Sequence, residues 1–167
     1  MMGQRVGYFR RLLPFLFALG LILFNAVPAY PLNGYFQSIP LVLIVIFYFA
    51  VFHPSALNDG MVFGLSIFAD ILVQSPFGLV IITYVLMFFV SHFLRSYLVN
   101  LNFFRLWGVF GFFTCSILSI QYVLFCLIQG QWMLFMPNMI GVIALILLYP
   151  FIIQMCAMID AYVRKKA

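Results

Sequence analysis

The sequence predicts an all-α fold: a polytopic integral membrane protein with six transmembrane helices. Three observations predict it. The 167-residue chain is 67% hydrophobic and only 7% charged, a composition far from that of soluble domains. Its apolar residues fall into six runs separated by short turn-like breaks. Its eight Lys and Arg residues stand at the margins of those runs. No polar linker or low-complexity stretch divides the chain, so residues 1–167 read as a single transmembrane domain.

The first run, Leu12–Val27, follows Arg5, Arg10 and Arg11. A basic flank before an apolar core also describes a signal peptide, and Val27-Pro28-Ala29 is a passable cleavage site. Because five further runs follow, the first is expected to be a retained span. The uncharged loop 28–35 leads to the second span, Phe36–Phe52, with Pro40 tolerated in its first turn and His53-Pro54 ending it. The third, Asn58–Gln74, covers about 25 Å at about 1.5 Å per residue, short against a hydrocarbon core of about 30 Å. Ser75-Pro76 stops it, and Phe77–Leu94 forms the fourth. Arg95 to Arg105 reads as a basic loop before the fifth and longest uninterrupted span, Leu106–Ile128. The chain turns near Gly130 into the sixth, Leu134–Met158, where Pro150 is expected to kink the helix.

Charge placement decides whether the short third segment crosses. With six spans and the N-terminus inside, all eight basic residues are cytoplasmic. With five, Arg95, Arg105, Arg164, Lys165 and Lys166 would lie outside. The positive-inside rule favours six spans with both termini in the cytoplasm.

The same dispersion speaks against nucleic acid as a partner, since the net charge of +5 forms no basic patch. Cys115, Cys126 and Cys156 all lie in apolar runs, with neither a disulfide framework nor metal-ligand spacing, and read as small apolar side chains. No HExxH, GxSxG, glycine-rich phosphate loop or CxxC motif is present. The titratable candidates His53, His92, Asp59, Asp70 and Asp160 do not converge. Asp59 and Asp70, eleven residues apart, are about 16 Å apart along a helix. Neither enzymatic activity nor a cofactor or metal site is expected.

The informative stretch is His53–Gly78. On a helix from Asn58 to Gln74, the residues Asp59, Phe63, Ser66, Asp70 and Gln74 share one face, with Gly60 and Gly64 on its flank. A carboxylate inside a membrane segment is costly, about 3 kcal/mol on insertion scales, so Asp70 is the leading candidate residue. It is either a structural carboxylate hydrogen-bonded to a neighbouring helix, or part of a docking face or ligand cavity. Gly60 and Gly64 would admit a neighbouring helix, from this chain or from a partner. The other polar residues have plainer readings. Asp160 precedes Arg164 by four positions, an exposed ion pair. His92 is solvated at the inner end of its span, and Asn58 or Asp59 caps the third helix. Gly108 and Gly111 relieve crowding between helices.

Pro40, Phe47-Tyr48, His53-Pro54, Gly60, Phe63-Gly64, Asp70-Ile71 and Phe77-Gly78 together resemble the signature region of the rod shape-determining protein MreD family. The spacing from Phe63-Gly64 to Asp70-Ile71 and on to Gly78 is the most specific part. Leu41 stands where family members often carry a polar residue. The resemblance covers about a quarter of the chain and otherwise extends only to length and hydropathy. It implies a bacterial inner-membrane, non-catalytic subunit of the elongasome, which inserts side-wall peptidoglycan. It also implies binding to the transmembrane helix of MreC and, through it, links to RodA, a class B penicillin-binding protein and MreB. The implied fold is that of the substrate-binding S components of vitamin transporters. That fold keeps a second expectation open, a small-solute uptake subunit with Asp70 lining a cavity. The candidate docking or cavity residues are therefore Asp70, Gly60, Gly64, Phe63, Ser66 and Gly78.

Overall fold

The computed structural model describes residues 14–25, 40–54, 57–73, 76–130 and 136–165. They form seven helices and no strand: α1 (Pro14–Asn25), α2 (Val42–Phe52), α3 (Asp59–Val73), α4 (Leu79–Phe93), α5 (Arg95–Leu98), α6 (Phe103–Gln129) and α7 (Met136–Lys165). Six of these stand where the six spans were expected, and the seventh is new. The presumed loop after Arg95 contains the helical turn α5, whose Leu98 is buried. The cleavage site, the loop 28–35, Gln74-Ser75 and the Asp160–Arg164 side-chain pair lie outside what is described.

By length and composition, two helices can cross a membrane alone: Phe103–Ile128 in α6 and Met139–Ile159 in α7. Helices α1, α2 and α4 are apolar but shorter. The two long ones are not enclosed core helices, since only 28% and 33% of their most apolar windows is buried. Large apolar side chains are instead exposed on several helices, among them Phe24, Phe89, Phe112, Leu127 and Phe151. Exposed large apolar side chains and two helices of spanning length are in keeping with association with a membrane.

The centre belongs to α2. Its residues are apolar on every side and buried without a break from Val42 to Val51, as a helix with no polar face must be. Helices α4, α5 and α7 pack against it. Phe47 projects from α2 onto Phe110 of α6 and Tyr149 of α7, with centroids 5.2 and 6.2 Å away in edge-on contact. Phe110 and Tyr149 stack on each other at 4.4 Å. This aromatic knot joins three helices at the core.

Two backbone carbonyls that helix geometry leaves unpaired find side-chain donors. Pro150 has no N–H, so the carbonyl of Ile146, four residues earlier, loses its usual partner. The Trp107 indole N–H of α6 donates to that carbonyl at 2.9 Å. Gly111 lies at the same seam, where an added Cβ would make only ordinary contact with Ile146, 3.5 Å from its Cδ1. Helix α7 runs through Pro150 without interruption. At the C-terminus of α2, Arg95 Nε donates to the carbonyl of Val51 at 2.9 Å. Arg95 thereby brings the α4–α5 corner to the end of α2.

Candidate functional site

Helices α3 and α4 form the most extensively packed pair among the described residues. Their junction is short, with Val73 ending one helix and Leu79 opening the next. Gly78 is the residue before α4, with φ +101° and ψ −16°, a left-handed conformation that favours glycine. A glycine at this position has no side chain with which to cap the helix. Asp70 supplies the cap from the last turns of α3. Its Oδ2 accepts from the Gly78 N–H at 2.7 Å and its Oδ1 from the Val80 N–H at 3.1 Å. Two of the unpaired N–H groups at the start of α4 are satisfied by one carboxylate, whose charge also suits the positive end of the helix dipole. Asp70 is 2% exposed.

The predicted polar stripe is thus split between two faces. Asp70 and Ser66 are buried with Val62, Leu65 and Ala69 on the side that meets the bundle. Ser66 Oγ donates to the Val62 carbonyl of its own helix at 2.6 Å. Phe63 is 53% exposed, and Asp59, Gly60 and Gly64 are exposed as well. A Cβ added at Gly60 or Gly64 would meet nothing within 4 Å. Among the described residues no helix packs on the glycine pair, and it does not form one seam with Asp70. The physical reason is that Ser66 and Asp70 turn inward to backbone hydrogen-bond partners, while Asp59 at the start of the helix stays exposed. The partners of Asp70 are Val80 and Gly78, the latter a residue singled out separately.

Two further buried hydroxyls are tied to their own helices, whereas Thr114 Oγ1 and the Tyr149 hydroxyl find no hydrogen-bond partner among the described residues. Thr83 Oγ1 donates to the Leu79 carbonyl at 2.8 Å and Ser91 Oγ to the Met87 carbonyl at 2.6 Å. The Asn58 carbonyl accepts from the Met61 and Val62 N–H groups that open α3. His92 is exposed at the end of α4 and stacks on Phe88 at 5.8 Å. Cys115, Cys126 and Cys156 are free thiols. Among the described residues no three His, Cys, Asp or Glu side chains gather as a metal site would require.

Two features escaped the sequence reading. The Arg95–Val51 contact was hidden because Arg95 reads as an orientation signal, and nothing in its neighbours points to α2. The Trp107–Ile146 contact had a signal, since Pro150 predicts an orphaned carbonyl four residues earlier.

Both Asp70 oxygens accept backbone hydrogen bonds, and those bonds join α3 to the start of α4. The outer face of α3, with Gly60, Phe63, Gly64, Phe68 and Ile71, is apolar and open. Comparison with protein-family models, characterised proteins and solved structures returns no match for this chain.

Proposed function

We propose that this chain is a non-catalytic subunit of the MreD type, resident in the bacterial inner membrane with six spans and both termini cytoplasmic. In this reading it binds the transmembrane helix of MreC and supports rod shape and side-wall peptidoglycan synthesis. Links to RodA, a class B penicillin-binding protein and MreB run through that partner. The observation that carries the reading is the open face of α3. Gly60 and Gly64 stand outward, a turn apart, with unfilled space where side chains would be. Between helices in lipid, close backbone approach through small residues is the main source of affinity, because apolar contact alone does not distinguish a helix from a lipid tail.

The Asp70–Gly78 latch supports the same reading from within. It gives the most specific part of the family resemblance a physical role, holding α3 against α4 so that the opposite face of α3 is presented rigidly. A solute-uptake role gains no comparable support, because Asp70 is spent on the start of α4. The chain is expected to have no turnover of its own toward lipid-linked precursors.

The test is co-purification with MreC, read beside the membrane abundance of each variant. Gly64→Leu fills the open groove and should nearly abolish co-purification at normal abundance, since its side chain meets nothing in the bundle. Unchanged co-purification would remove α3 as the docking face.

A further inference from the structure

Helix α7 is loosened where Pro150 interrupts its hydrogen bonding. The carbonyl of Ile146 has no backbone donor there, and the Trp107 indole of α6 supplies one at 2.9 Å. A helix flexes between a proline and the residue four before it, so the pliable turn is 146–150. Beyond that turn the helix is lightly held. Of the described side chains from Phe151 to Ile159, only Ile152 and Cys156 are buried, while Phe151, Met155 and Met158 stand exposed on one face.

Tyr149 lies within the pliable turn. It is fully buried, and its hydroxyl has no hydrogen-bond partner among the described residues. Its ring is stacked on Phe110 at 4.4 Å, edge-on to Phe47 at 6.2 Å and tilted against Phe103 at 6.3 Å. A phenylalanine would make the same ring contacts without burying a hydroxyl. The hydroxyls of Ser66, Thr83, Ser91 and Ser116 avoid that cost by returning to the carbonyl four residues earlier. A tyrosine hydroxyl stands too far from its own backbone to do so. In this arrangement the hydroxyl only destabilises, and it does so in the turn that proline has already loosened.

We propose that α7 has a second conformation, bent at Pro150, in which the Tyr149 hydroxyl leaves the aromatic knot for a hydrogen-bond partner. The Trp107–Ile146 bond is the latch that holds the observed form. Opening it swings the segment after Pro150 about the 146–150 turn and turns the face of Phe151, Met155 and Met158 to new neighbours. The inference stands apart from the docking role proposed for α3, since it involves other helices.

The test places one spin label on Cys115, a native thiol exposed on α6, and a second on the variant Met158→Cys, exposed beyond the hinge. Cys126 and Cys156 are buried. Pulsed electron–electron resonance on the full chain in detergent then reads the distance distribution between the labels. The parent chain should show two populations. Trp107→Phe should raise the minor one about fivefold, the net worth of one hydrogen bond, and Tyr149→Phe should lower it by a similar factor. Pro150→Ala, which restores the backbone bond, should leave a single distance. These last two variants keep the test decisive should Trp107→Phe fail to fold. A single population in the parent chain would overturn the proposal. So would a minor population that Trp107→Phe or Tyr149→Phe leaves unchanged, or one that persists in Pro150→Ala.

Discussion

At the scale of single residues, Asp70 and Gly78 act as one device, and each can be tested by its own chemistry. An asparagine at position 70 keeps the shape but has one acceptor oxygen where the carboxylate has two. One of the Gly78 and Val80 N–H groups would then face an amide NH2 and lose its partner in a buried place. Asp70→Asn should cost about 1–3 kcal/mol of stability, the range for an unsatisfied buried group. Gly78→Ala acts through the backbone, since φ +101° is strained for any residue with a Cβ, at a cost of about 1–2 kcal/mol. Both should lower the unfolding midpoint in detergent and the amount of protein in membranes. A variant at Asp70 with full stability but lost partner binding would instead show that the carboxylate acts outward.

At the scale of elements, the six main helices were legible because hydropathy alone marks apolar runs of that length. Their faces were not. Helix α2 is central and α7 is largely open, yet both are apolar all round, since lipid and protein interior select the same side chains. Asp70 stood out in the sequence as a misplaced carboxylate, but its partners are main-chain N–H groups, which carry no sequence signature. The α6–α7 seam shows what can be predicted from such rules. Trp107→Phe should leave the Ile146 carbonyl orphaned and cost about 1–3 kcal/mol. Pro150→Ala restores an N–H four residues after Ile146, so the carbonyl regains a helical partner. In the Pro150→Ala background, Trp107→Phe should therefore cost clearly less, and a double-mutant cycle of unfolding free energies measures the difference. Additive effects would mean that the indole contributes by packing alone.

At the scale of the whole molecule, the proposed topology follows from joining charge placement to one long-range contact. The Arg95 guanidinium on the Val51 carbonyl requires the C-terminus of α2 and the α4–α5 corner to share one end of the bundle. Asp70 on Gly78 and Val80 closes the α3–α4 turn, and α3 and α4 run from that turn to the end that Arg95 marks. If Arg95 lies on the cytoplasmic side, as the positive-inside rule requires, the termini of α2 and α4 must be there too, and the Asp70 turn must face outward. Reporter fusions within 99–103 and after Lys166 should then report cytoplasmic, and fusions near Tyr30 and Gln131 periplasmic. A fusion near Phe77 should be periplasmic for the same reason. That position is the most discriminating, because a re-entrant α3 would return the chain to the cytoplasm there. A periplasmic C-terminus together with a cytoplasmic signal at Phe77 would reduce the spans to five and leave Arg105 on the outer face.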